Sequence, residues 1–214
     1  QVHAPYFINL LSEKKETIEA SIKRIVESLD RAEIMEAKAV VVHAAYYGKL
    51  TREDAFEKMF EATKKILELA EKNRIKNTLL AYETMAKESQ FADLDALLNL
   101  KDKIRKELNK EITICIDFAH IYARNNGKID YSEILEKVKK FSHIYSHFSN
   151  VKYNLKTKKF VDVHVPINGN PPFKPLANEI LKRKISITII SESPKLELDS
   201  VKMKNVFEEL GYKF

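Results

Sequence analysis

Short apolar runs of strand type alternate along the chain with longer segments of helical periodicity. In the first long segment, Ile18, Ile22, Ile25 and Leu29 recur at the spacing of one helix face. The apolar runs predict strands at 1–3, 39–43, 78–83, 112–117, 143–148 and 186–190. The segments between them predict helices at 13–37, 51–73, 92–109, 131–141, 173–183 and 198–210. Because strand and helix alternate, the pattern predicts an α/β fold with a parallel sheet.

Local signals refine three of these boundaries. Thr51 and Asp54 resemble a capping box that opens the second helix. Gly211 suits the position just beyond the end of the last helix. Residues 149–171 are basic and lack a clear period, so they are predicted to form a long irregular loop, which in a compact domain is usually functional.

The predicted elements favour a TIM-type (β/α)8 barrel formed by residues 1–214 as a single domain. No glycine-rich phosphate loop follows any strand, which argues against a nucleotide-binding Rossmann domain. A barrel instead builds its site from the ends of many different strands. Since the stub at 1–3 and the five good strands are fewer than eight, the sequence is expected to be an N-terminally incomplete barrel.

Composition narrows the function classes. The chain has 214 residues, 44% of them hydrophobic, so it can bury a sizeable core. Cys115 is the single cysteine, which excludes a disulfide scaffold and favours a reduced, cytoplasmic setting. No apolar stretch is long enough to span a membrane. The net charge of +6 permits an anionic partner such as DNA without requiring one.

The chemistry follows from what stands at the ends of the apolar runs. Histidines and carboxylates recur there and in the 149–171 segment: His3, His43, Glu83, Asp117, His120, His147, Asp162, His164 and Glu192. A buried carboxylate is costly without a compensating cation. Imidazole and carboxylate together suit Zn, Mn or Fe, and nine such residues exceed the needs of one ion. The sequence therefore predicts a polynuclear metal site.

Other polar and aromatic residues near this set have weaker signals. His143 lies at the start of its strand, so we interpret it as a packing or surface residue. Lys152 and Lys156 make the 149–171 segment basic, which fits either an ordinary solvated surface or contacts with phosphates. Tyr46, which follows His43, fits either local packing or stacking on a base.

At these residues the chain resembles endonuclease IV, the zinc-dependent apurinic/apyrimidinic endonuclease of DNA base-excision repair. The resemblance covers essentially the whole chain. It rests on the segments HAPYFINL, VVHAA, YET, CIDFAHIYARNNGKID, HFSNVK, FVDVH and IISES, which are similar to the metal-binding motifs of that family. All nine metal ligands of the family have a counterpart here in the same order.

The resemblance implies three zinc ions. His3, His43 and Glu83 would hold the first, and Glu83 would be shared with a second ion held by Asp117, His147 and Glu192. His120, Asp162 and His164 would hold the third. It also implies catalytic roles for Glu83, Asp117 and Glu192, and cleavage of double-stranded DNA 5′ to abasic sites by a monomer.

The sequence departs from the family pattern in the loops. Ala44 and Ala45 replace a Pro-Gly pair, Phe118 and Ala119 replace Thr and Cys, and INGNPP replaces the glycines expected after D-x-H. These changes affect segments that would shape a DNA groove. The main alternative is a xylose-isomerase-like sugar isomerase or epimerase, which needs only Glu83, Asp117, His147 and Glu192. A UV-damage endonuclease and a non-catalytic remnant that binds metal or DNA are further alternatives.

Overall fold

The computed structural model describes all residues from 1 to 214, and the chain forms two compact units, Gln1–Cys115 and Ile116–Phe214. No helix combines the length and the apolar composition that crossing a membrane requires.

The first unit is built on parallel strands in the order β1, β2, β4, β6. Their bounds are Val2–His3 (β1), Ala39–Val42 (β2), Leu79–Glu83 (β4) and Thr113–Asp117 (β6), whose last two residues belong to the second unit. All four residues of β2 are fully buried, as expected for a parallel strand covered on both faces. A small antiparallel pair joins Ala45–Tyr46 (β3) to Gln90–Phe91 (β5).

Three helices complete the first unit: Lys15–Ile34 (α1), Arg52–Lys72 (α2) and Leu94–Leu108 (α3). Thr51 accepts a hydrogen bond from the backbone N–H of Asp54, so the predicted cap at the start of α2 is confirmed. Asp93 caps α3 in the same way. The apolar face of α1 buries Ile22, Ile25 and Leu29, as the periodicity predicted.

The second unit pairs Ile144–Phe148 (β7) with Ile187–Ser191 (β10) in parallel. Its helices are Phe118–Arg124 (α4), Tyr131–Val138 (α5), Phe173–Arg183 (α6) and Glu197–Glu209 (α7). Gly211 has a φ of +88°, in the left-handed region, one residue past the cap of α7, so its predicted position is confirmed. The parallel α/β prediction is confirmed as well.

The prediction of an irregular loop at 149–171 is wrong. Most of that segment is an antiparallel hairpin of Asn150–Asn154 (β8) and Lys159–Val165 (β9). Strand β8 reads NVKYN and is too polar to show an apolar period, whereas β9 reads KFVDVHV, in which Val161, Val163 and Val165 alternate with Asp162 and His164. That alternation was the available signal for a strand. A second correction concerns the residues after Asp117, which form helix α4, an element absent from the predicted helices.

Candidate metal centre

The histidines and carboxylates stand at the carboxyl ends of the parallel strands, where the sequence placed them. His3 ends β1, Glu83 ends β4 and Asp117 ends β6. His43 and Glu192 directly follow β2 and β10, and His147 is the penultimate residue of β7. The remaining three come from other positions, His120 from α4 and Asp162 and His164 from β9.

In the first unit, two imidazoles converge on one carboxylate oxygen. Glu83 is fully buried, and its Oε2 lies 3.3 Å from His3 Nε2 and 3.1 Å from His43 Nε2. His3 Nδ1 lies 2.6 Å from the carbonyl oxygen of Ala4. Because a carbonyl oxygen only accepts, Nδ1 is the protonated nitrogen, which leaves the Nε2 lone pair of a neutral ring directed at the group.

These distances fit a shared metal ion. Ligand atoms at the corners of a tetrahedron with zinc bonds of about 2.0–2.1 Å are separated by roughly 3.3 Å. The contacts of Glu83 with His3 and His43 match that separation. The three side chains offer two imidazoles and a carboxylate, a ligand set that zinc accepts.

In the second unit, helix α4 brings a histidine to the hairpin. Asp117 caps α4 by accepting a hydrogen bond of 2.7 Å from the backbone N–H of His120. His120 Nε2 lies 3.1 Å from Asp162 Oδ1, and His164 Nε2 lies 3.7 Å from the same oxygen. The buried Nε2 of His164 has no hydrogen-bond partner. A buried ring nitrogen facing a carboxylate and a second imidazole fits a metal ligand.

A further group in the second unit consists of Asp117, His147 and Glu192. Their ligand atoms lie within 4.8 Å of one another. His147 Nδ1 is 3.2 Å from Glu192 Oε1. His164 Nδ1 lies 3.1 Å from the carbonyl oxygen of Glu192, so it donates there and keeps its Nε2 free to face Asp162.

The hairpin that bears Asp162 and His164 is held by close packing against the turn after α4. Phe160 of β9 packs edge-on against Tyr122 of α4, with ring centroids 4.8 Å apart. Gly127 has a φ of +89°, and a Cβ there would come within 2.6 Å of the Phe160 ring. Glycine is therefore required at this turn by both backbone conformation and space.

Burial affects the phenols on this side of the unit. It raises the pKa of Tyr122 and of Tyr131, so both side chains stay neutral in the ordinary pH range. Tyr131 donates a hydrogen bond of 2.9 Å to the carbonyl oxygen of Pro172. These groups support the packing around α4.

The residues predicted to contact DNA are exposed. Tyr46 lies in β3 of the first unit with 45% of its surface exposed. Lys152 lies on β8 and Lys156 in the turn that follows it, both exposed in the second unit. His143 bonds to the hydroxyls of Ser186 and Thr188, in agreement with a structural role.

Three buried or half-buried polar residues that hold the site segments were missed by sequence reasoning. Asn9 Oδ1 accepts hydrogen bonds from the backbone of Leu11 and Tyr46. Asn150 and Asp199 hold segments of the second unit in a similar way. Asn9 and Asn150 lie inside the motifs HAPYFINL and HFSNVK, which was the one available signal. Asp199 lies in a charged helix after the last motif, and no feature of the sequence indicated its role.

Comparison with known proteins identifies the family of this chain. The family model described as xylose isomerase-like TIM barrel matches residues 1–210. An uncharacterized protein of Methanocaldococcus jannaschii is 34% identical, over 97% of this chain and 76% of its own length. A protein of Carboxydothermus hydrogenoformans named probable endonuclease 4 is 26% identical, over 98% of this chain and 75% of its own length.

Solved structures show the same fold. A D-tagatose 3-epimerase-like protein superposes with a TM-score of 0.73 at 22% identity, covering 97% of this chain and 75% of its own. Endonuclease IV from Thermus thermophilus superposes with a TM-score of 0.70 at 21% identity, with the same coverage. The similarity to endonuclease IV that the motifs indicated, and the TIM-barrel fold class, are confirmed. The chain belongs to the xylose isomerase-like TIM barrel family.

Proposed function

We propose that this protein is a zinc-dependent DNA repair endonuclease that hydrolyses the phosphodiester bond 5′ to abasic sites. The observation that carries the proposal is the pair of groups that a mononuclear sugar isomerase would not need. His3 and His43 meet Glu83 in the first unit, and His120 and His164 meet Asp162 in the second. Relatives named probable endonuclease 4 support the same activity.

The donor sets assign candidate roles to individual residues. His3, His43 and Glu83 would hold one zinc ion. His120, Asp162 and His164 would hold another, since both imidazoles lie close to Asp162 Oδ1. Asp117, His147 and Glu192 would contribute to a third. Bound divalent ions would lower the pKa of a water and offset negative charge on the phosphate and the leaving oxygen.

The carboxylates of the chain would act on bound water. Glu83, Asp117 and Glu192 are proposed as catalytic residues, each of which would accept a hydrogen bond from water bound in its own unit and orient that water for attack on phosphorus. Glu83 and Asp117 end strands and Glu192 directly follows one, so the strands restrict their positions and lower the cost of ordering them during the reaction. An abasic nucleotide lacks base stacking, so it is cheap to turn out of the helix, and this supplies selectivity without reading a base.

A sugar isomerase or epimerase remains the second candidate, because an epimerase-like protein superposes as well as endonuclease IV does. Metal content separates the two. Elemental analysis of protein purified without chelator should find more than two ions per chain, mainly zinc, with cleavage of abasic duplex DNA. A single ion with a preference for Mg²⁺, and turnover of a ketose without DNA cleavage, would support the isomerase instead.

DNA binding is tested through the hairpin lysines. Replacing Lys152 and Lys156 with Gln should weaken binding of abasic duplex and reduce the salt dependence, by about one unit of slope per lost phosphate contact. The effect should be independent of flanking sequence, since phosphate contacts do not read bases. Lys65 and Lys72, exposed on α2, provide a control pair of equal charge. Equal slopes for the two double variants would count against the hairpin as a DNA contact.

A further inference from the structure

One buried carboxylate outside the candidate metal groups contacts two separate segments of the second unit. Asp199, in the first turn of α7, is fully buried. Its Oδ2 accepts a hydrogen bond of 2.7 Å from the backbone N–H of Ile167 and another from the hydroxyl of Ser193. Its Oδ1 lies 2.5 Å from the ammonium group of Lys202, one turn along the helix.

Both contacted segments directly continue from candidate ligands. Ser193 follows Glu192 in the chain, and its oxygen also accepts a hydrogen bond of 3.1 Å from the backbone N–H of Lys195. Ile167 comes three residues after His164, at the end of the hairpin. The two segments also touch near the site, where His164 Nδ1 donates to the carbonyl oxygen of Glu192.

The charge state of Asp199 fits this arrangement. Burial alone would raise the pKa of its carboxyl group, but hydrogen bonds from Lys202, Ser193 and the backbone of Ile167 outweigh it and lower the pKa. The carboxylate is therefore ionised at neutral pH. Its position in the first turn of α7 favours the same state, since the amino end of a helix is electropositive.

We propose that Asp199 is a positioning residue that fixes two segments relative to one another: the turn at 193–196 that follows Glu192, here called the Glu192 turn, and residues 166–167, which directly follow the hairpin. In this way it would set the affinity of the second unit for its metal ions. The proposal rests on the proposed function, because it takes Glu192, Asp162 and His164 as ligands. Neither Ser193 nor Ile167 offers a ligand atom to the candidate groups. Asp199 acts through them by holding backbone on which the ligands stand.

The physical reason is preorganisation. Ligands that come from two chain segments bind an ion tightly only if the segments keep their spacing before the ion arrives. Hydrogen-bond partners behind metal ligands typically change metal affinity by about 10–100-fold when removed. A single ionised oxygen shared between the two segments is such a partner, since moving either segment breaks a hydrogen bond to a charged group.

The test compares three variants of the full chain with Zn²⁺ as the probe. Asp199→Asn keeps the size of the side chain but removes its charge. Ser193→Ala removes the hydroxyl that donates to Asp199 and accepts from the backbone N–H of Lys195, and leaves the contact of Asp199 with Ile167 in place. Lys202→Met is the control, because Lys202 contacts the same carboxylate from the partly exposed side and touches neither segment. Zinc affinity is measured by competition with a chromogenic chelator, and Tm is measured in excess chelator.

We expect Asp199→Asn and Ser193→Ala to lower zinc affinity by about 10–100-fold. Lys202→Met should keep the zinc affinity of the wild type even if its Tm falls by as much as the Tm of the other two variants. Wild-type zinc affinity in Asp199→Asn would overturn the positioning role. A loss of zinc affinity in all three variants, in proportion to the decrease in their Tm, would overturn it too. Neither result would contradict the metal centre itself.

Hydrogen exchange at the amides of Ile167 and Lys195, measured without metal, separates this inference from the proposed function. Faster exchange at both in Asp199→Asn supports the coupling even if the wild type binds no zinc. Unchanged exchange at both overturns it, whatever the zinc affinity.

Discussion

The candidate metal groups of the two units are built in different ways. In the first unit, His3, His43 and Glu83 stand at the ends of parallel strands that pair directly, β1 with β2 and β2 with β4. In the second unit, His120 comes from a short helix and Asp162 from a hairpin. The first group depends on a buried sheet. The second depends on how a helix and a hairpin pack together.

The difference shows which interactions fix ligand geometry in each unit. Strands β2 and β4 are almost entirely buried, so their ends have little freedom. The hairpin is half-exposed and gains its position from particular contacts, such as those of Asn150 and Gly127. Substitutions away from the ligands should therefore disturb the second group more readily than the first.

The largest effect should come from removing one carboxylate of each group. Glu83→Gln should abolish zinc binding at His3 and His43, and Asp162→Asn should do so at His120 and His164. In each variant turnover of abasic DNA should fall by more than the roughly 100-fold that loss of an outer partner costs. Elemental analysis and cleavage kinetics measure both, with His143→Ala as a control that should change little. Full zinc content in Glu83→Gln would refute the first group.

The next effect concerns two asparagines of the hairpin strand β8. Asn150 is buried, and its side chain accepts hydrogen bonds from the backbone of Asn168 and Gly169 and donates to Pro171. Asn150→Ala leaves these groups unpaired and should cost about 1–3 kcal/mol, a Tm decrease of several degrees. Asn154→Ala, at the solvent end of the same strand, should cost much less. Equal Tm values for the two variants would show that burial does not control the hairpin's position.

A comparable or smaller loss should follow from Gly127→Ala. The new methyl group would meet the Phe160 ring at 2.6 Å in a left-handed backbone conformation. We expect a cost of roughly 1–3 kcal/mol and weaker zinc binding by the second group only. Gly48→Ala is a matched control, since its φ is +57° but no atom lies within 4 Å of the added carbon. Chemical denaturation and zinc competition distinguish the two. Identical losses would assign the effect to backbone strain alone.

The smallest effect is a pH dependence in the first unit. Burial opposes ionisation of Glu33, yet hydrogen bonds from the backbone of Asn77 and Lys76, from the Asn77 side chain and from Thr78 lower its pKa to about 2. Because the folded pKa is depressed, its stabilisation is complete above the ordinary value of 4.5 and is lost as pH falls toward 2. The Tm difference between wild type and Glu33→Gln should therefore vanish in that window. A Tm difference for Glu33→Gln that stays constant across that window would contradict the assignment.

The sequence predicted the long helices well because their apolar positions are periodic, and the parallel strands because they are continuous apolar runs. Helix α2 begins one residue after the predicted capping residue Thr51, and β4 ends at Glu83 as expected. The hairpin was not predicted, although Val161, Val163 and Val165 alternate with polar residues, because the lysines around that run favoured the interpretation as a loop. Helix α4 was not predicted because its seven residues are too few to show a helical period.

By itself, the sequence determined the order of the strands along the chain and the polar residue that ends most of them, since a buried strand must be apolar and a carboxylate at its end needs a partner. Only the tertiary structure decided which of these residues meet. His120 lies 42 positions before Asp162, and their ligand atoms come within 3.1 Å because α4 packs on β9. Likewise, the sequence of α7 did not indicate the role of Asp199, because hydrogen bonds between distant segments produce no periodic pattern in the sequence.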